Sequence, residues 1–287
     1  MDWTPGGSSD DIEDRRDEGG GGGGGFGFGG FGGVHLGIGG TILVVVLSII
    51  FRSNLFTGVA VPTESHVPDR ARDASEQNEV EFVKFVLNDV QATWDRLLPQ
   101  SGASYRHAKL VLFRDETQSG CGEAQSATGP FYCPQDEKVY LDLGFFEELR
   151  NRFGAPGEFA QAYVIAHEIG HHVQKLLGIE GKVRRLQRSE PSVTNRLSVG
   201  LELQADCFAG VWGNSTEQRK LVNQDDIAAG LRAAAAVGDD RLQRMATGRV
   251  SPESFTHGSS AQRMAWFKKG LDSGRVSACN TLEQIQR

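Results

Sequence analysis

Apolar residues fall into a helical rhythm at Val80, Val83, Val86, Leu87, Val90, Trp94 and Leu97, and Pro99 stops it. Positions three and four apart share one face of a helix, so this stretch predicts an amphipathic helix at the head of a domain that begins near Ser75. Lys109 to Phe113 and Lys138 to Leu143 are short runs rich in Val, Leu and Tyr, bounded by Gly and Pro, which predicts two strands of a small sheet. After Glu158 every periodic stretch is helical. Pro156 would open one helix and Gly178 close it. A second is expected from Asn195 to Trp212, ended by Gly213-Asn214, and alanine-rich residues 231–237 predict a tightly packed third.

Upstream of that domain the pattern breaks down. Gly19 to Gly25 is unbroken glycine, and the alternating Phe and Gly after it cannot pack a core, so residues 1–33 are expected to be a disordered acidic and Gly-rich tail. Leu36 to Phe51 carries no charge and Ile42 to Ile50 is almost purely aliphatic, which predicts a transmembrane helix over 34–56 with Arg52 snorkelling at its end. Gly58-Val59-Ala60 has the look of a signal-peptide cleavage site, but the preceding stretch is unusually long and acidic for one. Residues 57–74, with Pro62 and Pro68, read as a linker to a domain spanning 75–287.

Composition adds little to the fold and more to the exclusions. With 39% hydrophobic and 23% charged residues among 287, the chain can bury one proper core. The net charge of −7, much of it from Asp10 to Glu18, offers no nucleic-acid surface. Cys121 and Cys133 bracket a short loop that a disulfide could staple, and Cys207 and Cys279 complete an even set. A disulfide persists in an oxidising compartment, so the cysteines place the domain outside the cytoplasm of a single-pass cell-membrane protein. The basic residues flanking the span lean slightly the other way.

The chemistry lies in Tyr163 to Val173, where His167-Glu168-Ile169-Gly170-His171 sits inside an apolar helix-forming run. Residues four apart stand one turn apart on one face, so His167 and His171 can direct two imidazole nitrogens at one Zn²⁺. Glu168 lies about 100° round the helix, beside the metal's open position, where it can deprotonate a water. His172 points away from that face and is expected to be a supporting or surface histidine. A third ligand is required, and Glu202 on the next long helix supplies it, with Asp206 one turn on to accept the remaining ring N–H of a ligand histidine. Ala205, Ala209, Gly210 and Gly170 are small enough to let the two helices approach closely.

These motifs, with Gln204 to Trp212, Phe131-Tyr132-Cys133-Pro134 and Phe255 to Arg263, resemble the predicted neutral zinc metallopeptidases of bacteria, single-pass membrane proteins within the zincins that use glutamate as third ligand. The resemblance covers roughly residues 33–280. Thr256 to Arg263 is also similar to the His-Pro-x-x-x-x-Arg element of membrane zinc peptidases of the prenyl-protein and heat-shock type, with Gly258 where that element has proline. It implies that His257 and Arg263 face the cleft and hold substrate or the developing oxyanion. The fold implied is α+β and zincin-like, a small, mostly antiparallel sheet with several helices, in which residues 138–143 form the edge strand above the active-site helix. The implied activity is zinc-dependent endopeptidase hydrolysis of a peptide or protein substrate, with Glu168 as general base. The rival reading is a membrane-anchored scaffold that keeps a structural or vestigial zinc. Intact Glu168 counts against it, because a purely structural site needs no carboxylate beside an open position.

Overall fold

Burial of Val80, Val83, Val86, Leu87, Val90 and Trp94 drives the first long helix, α1 (Arg70–Leu97), against the rest of the domain. Each such side chain contributes about 1.5–3 kcal/mol when fully buried, enough to hold a helix that would be marginal alone. Pro99 ends it by opening a short 3-10 turn. The protein is described by a computed structural model over residues 1–18 and 70–282. The helix starts within the stretch that reads as linker, and residues 57–69 of that linker lie outside the described residues.

Among the described residues there are six strands, of which the runs at 109–113 and 138–143 announce two. They are β1 (Ile12–Asp14), β2 (Lys109–Phe113), β3 (Glu116–Ser119), β4 (Gly122–Gln125), β5 (Phe131–Cys133) and β6 (Lys138–Asp142). β3 and β4 form a separate antiparallel hairpin, and the other four make one sheet in the order β1-β2-β6-β5. Two expectations change here. β1 pairs parallel with β2 and β2 parallel with β6, leaving β5 with β6 as the one antiparallel pairing, so the sheet is mixed and not mostly antiparallel. β6 is interior, because the three-residue β5, too short to announce itself by periodicity, covers it and becomes the edge. Disulfides join Cys121, in the turn of the hairpin, to Cys133 on β5, and Cys207 to Cys279.

The remaining helices are α2 (Gly144–Asn151), α3 (Glu158–Leu176), α4 (Ile179–Ser189), α5 (Thr194–Gln218), α6 (Gln224–Ala236), α7 (Asp239–Thr247) and α8 (Ser260–Ser273). Gly213 does not end α5. A Cβ there would lie 3.1 Å from Leu271 Cδ1, so the glycine serves the packing of α8 against α5 and the helix runs on to Gln218. At the centre of that crossing Gly210 meets Gly270, where a Cβ on either would run into the other helix's backbone.

The first eighteen residues belong to the fold. Ile12–Asp14 adds to the sheet, Trp3 packs on Phe82 and Phe85, and Lys138 Nζ reaches Glu13 at 2.8 Å. The acidic stretch that reads as disordered tail is thus ordered by complementary cations, a match between distant segments that composition does not reveal. Among the described residues no helix is long and apolar enough to cross a membrane, and the segment 34–56 lies outside them. The expected single-pass cell-membrane placement is corrected accordingly.

Candidate metal centre

Burial of Phe159, Ala162, Ile165, Ala166, Ile169 and Val173 sets α3 into the core and fixes which residues of its polar face reach the centre of the domain. Gly170 lies against α5, where a Cβ would stand 3.0 Å from the Ala205 carbonyl oxygen, so the helices touch at this point. On either side of it they present His167 and His171 from α3, and Glu202 and Asp206 from α5.

The side chains converge. His167 Nε2 and His171 Nε2 are 3.2 Å apart, and the Glu202 carboxylate stands 3.3 Å from the first and 3.5 Å from the second. Among the described residues this is the one cluster of three such donors within metal-binding reach. Ligands about 2.1 Å from a tetrahedral zinc lie about 3.4 Å from one another, so the donor set fits that ion in kind and spacing. Burial opposes charge on His167, but Asp206 and Glu202 raise its pKa to about 9, and the same histidines hold Glu202 well below the usual carboxylate range against the cost of its burial.

Asp206 is fully buried behind His167. Its Oδ1 accepts from His167 Nδ1 at 2.8 Å, Tyr163 Oη at 2.5 Å and Arg263 Nη2 at 2.9 Å, while its Oδ2 accepts from Arg263 Nε at 2.8 Å. Because Nδ1–H donates to Asp206, it is the Nε2 proton that His167 would give up to bind a metal, leaving the Nε2 lone pair toward His171 and Glu202. Arg263 is 4% exposed and its guanidinium also meets the Val237 carbonyl, yet it lines the same cleft as His167 and Glu202 and stands 3.9 Å from the Glu202 carboxylate, so it both holds Asp206 and borders the cleft.

Glu168 and His257 line the same cleft of about 640 Å³ as His167, His171 and Glu202, together with Tyr132, Phe145, Val164 and Leu242. Burial pushes the Glu168 carboxyl up to about 7, with Glu202 adding to the shift. His257 Nδ1 donates to Asp239 Oδ1 at 3.0 Å, and Asp239 Oδ2 accepts the backbone N–H groups of Thr256, His257 and Gly258. Burial disfavours charge on His257, but Asp239 and Glu202 raise its pKa. Gly258 adopts φ +90°, which proline cannot reach, so this loop takes its own path while still delivering His257 to the cleft. His172 is not a surface residue. It is fully buried, donates from Nε2 to the Arg106 carbonyl and accepts from Tyr132 Oη at Nδ1, anchoring β5 beside α3.

Sequence reasoning missed Tyr163, Gln174 and Asp239. Tyr163 and Gln174 stand four residues before His167 and three after His171, so helical spacing could have found them. Asp239 reads as an ordinary first-turn acid, and its partners lie 17 to 19 residues downstream.

A family model described as "Putative neutral zinc metallopeptidase" matches residues 1–282. The chain is 46% identical over 287 residues to "Uncharacterized protein YpfJ" of Escherichia coli (strain K12), covering 98% of each chain. It is 44% identical over 205 residues to "Uncharacterized protein Rv2575" of Mycobacterium tuberculosis (strain ATCC 25618 / H37Rv), covering 68% of this chain and 67% of that one. No solved structure matches. With a family model that runs from Met1 to beyond the last helix and includes the ordered N-terminal segment, the chain belongs to the neutral zinc metallopeptidase family.

Proposed function

We propose that the protein is a zinc-dependent endopeptidase in which His167, His171 and Glu202 hold the metal and Glu168 is the general base. The observation that carries this reading is the convergence of three donor side chains, with His167 Nε2 and His171 Nε2 3.2 Å apart and the Glu202 carboxylate within 3.5 Å of both, beside a buried carboxylate that lines the same cleft. Zinc held there supplies Lewis acidity toward a peptide carbonyl and makes a water acidic enough to lose a proton near neutrality. Glu168 takes that proton and returns it to the leaving amine. Held by Asp239 through Nδ1, His257 turns its Nε2 to the cleft, where it donates to the negative charge developing on the carbonyl oxygen. An extended substrate fits along β5, the sheet edge beside α3, through main-chain hydrogen bonds.

The test pairs metal analysis with hydrolysis of a denatured protein substrate by the full chain. Wild type should hold one zinc and cleave, while Glu168→Gln should hold zinc and lose at least about 100-fold in turnover. A fully active Glu168→Gln variant would sink the mechanism, and zinc without cleavage of any peptide would favour the scaffold reading.

A further inference from the structure

His167 and His171 occupy equivalent places in the ligand cluster, but what stands behind His171 carries no charge. His171 Nδ1 lies 2.9 Å from Gln174 Oε1. Gln174 Nε2 donates to the Leu201 carbonyl at 2.7 Å and to Gln204 Oε1 at 3.2 Å, and Gln204 Nε2 donates to the Cys279 carbonyl at 2.8 Å. Gln174 is 1% exposed and Gln204 5%, so water does not compete for these bonds.

The polarity of the chain follows from its two carbonyl ends. A backbone carbonyl only accepts, so Cys279 O requires the amide nitrogen of Gln204 to face it, which leaves Gln204 Oε1 as an acceptor. Leu201 O and Gln204 Oε1 then both demand the nitrogen of Gln174, which turns Gln174 Oε1 to His171. An oxygen there requires Nδ1–H on the imidazole and puts its lone pair on Nε2, 3.2 Å from His167 Nε2 and 3.5 Å from Glu202. Leu201 directly precedes Glu202, so the same amide also ties the α3 ligands to the α5 ligand.

The far end of the relay is not part of α3 or α5. Cys279 lies in a short 3-10 turn, Val276–Cys279, after α8, and two bonds clip that turn to α5: the disulfide to Cys207, next to Asp206, and the Thr281 hydroxyl donating to the Gly200 carbonyl at 2.6 Å.

We infer that Gln174 and Gln204 are positioning residues that set the tautomer and orientation of His171, and that the Cys207–Cys279 disulfide holds the terminus of this relay, so that metal retention depends on the C-terminal turn. The inference rests on the zinc-site reading above. Without that disulfide the turn is held to α5 by the Thr281 bond alone, so the Cys279 carbonyl shifts more freely, the Gln204 and Gln174 amides can turn, and the constraint that keeps the Nε2 lone pair in the site weakens.

The test uses the full chain and two readouts that do not involve catalysis. Competition with a chromophoric chelator gives the zinc dissociation constant, and two-bond ¹⁵N–¹H correlation in the metal-free protein reads histidine tautomers. Gln174→Met keeps side-chain volume without a hydrogen-bonding group, and Gln204→Met cuts the relay while sparing the disulfide. The expected result is zinc affinity about 10-fold or more weaker in Gln174→Met, less in Gln204→Met, and His171 shifted from a single Nδ1–H tautomer to a mixture. Cys207→Ser/Cys279→Ser should weaken zinc binding in wild type and add nothing in the Gln174→Met background, because the relay is already cut there. Unchanged affinity and tautomer in Gln174→Met, or a disulfide effect that adds in full to it, would overturn the relay. A wild-type protein that takes up no zinc would overturn the relay and the zinc site together, which separates the two failures.

Discussion

The two histidines of the proposed metal site are held by different physics. Behind His167 stands a buried ion pair, Asp206 with Arg263, topped by the Tyr163 hydroxyl; behind His171 stands a run of neutral amides ending on backbone carbonyls. A carboxylate holds an imidazole N–H strongly but must itself be satisfied when buried, and here four donors converge on Asp206. An amide holds it more weakly, yet leaves no net charge to compensate. The difference locates fragility: loss of a member of the ion pair strands a charge, whereas loss of an amide strands only a dipole.

The largest effect should therefore come from Asp206→Ala. It leaves the buried Arg263 guanidinium with only the more distant Glu202, 3.9 Å away, which costs about 3 kcal/mol of folding stability. Denaturant unfolding of the metal-free protein reads that loss, and zinc retention should fall with it. Gln174→Met should cost only about 1–2 kcal/mol in the same measurement. Equal losses in the two variants would break the comparison, because they would mean that charge behind His167 makes no energetic difference.

Much of the candidate metal centre was legible because its parts are local. His167, Glu168 and His171 declare themselves by spacing on one helix, and Glu202 and Asp206 by spacing on another. What the sequence could not show is how far-apart segments complete each other. Arg263 lines the cleft as its motif implies, but its grip on Asp206 appears only in the structure, as does the place of Asp239 beneath His257. The same limit governs the fold. β2 and β6 were legible as five-residue hydrophobic runs, whereas β1 and β5 have three residues each and exist only by pairing with them. Gly213 misled as a helix end because its reason is contact with α8 and not backbone freedom.

A third histidine sharpens the comparison. His257 is backed by a carboxylate as His167 is, but Asp239 spends its second oxygen on three backbone N–H groups instead of an arginine. If His257 serves the transition state and not the metal, His257→Ala should keep stoichiometric zinc and lose about 100-fold in kcat. Asp239→Asn should follow it in direction with a smaller loss, since an amide oxygen can still accept from Nδ1–H. Zinc loss in either variant would move His257 into the metal's support and erase the distinction.

The smallest effect belongs to the exposed member of the series. His107 Nδ1 lies 2.7 Å from Asp11 Oδ2 and its Nε2 lies 2.9 Å from Asp95 Oδ2, so a carboxylate from the N-terminal segment and one from α1 grip opposite edges of one ring. Only the imidazolium donates from both nitrogens. Burial opposes that charge, but Asp95 and Asp11 outweigh it and raise the His107 pKa above its ordinary value of 6.5. A raised folded-state pKa stabilises fully below the unfolded value and is lost as pH climbs through the folded one. Docking of residues 1–18 should therefore be tightest below about pH 6.5 and loosen above it, the window being set by the direction of this shift. With the ring 45% exposed, water and salt screen the pair, and the change should stay under about 1 kcal/mol. Hydrogen exchange at the Arg15 amide, which bonds the Leu112 carbonyl, reports the docking directly once intrinsic rates are divided out. Protection should decline from pH 6 to pH 8 in wild type and stay flat in His107→Ala. A His107→Ala protein with the wild-type profile would show that the segment is held by its strand pairing and by Trp3, and that the exposed carboxylates contribute nothing.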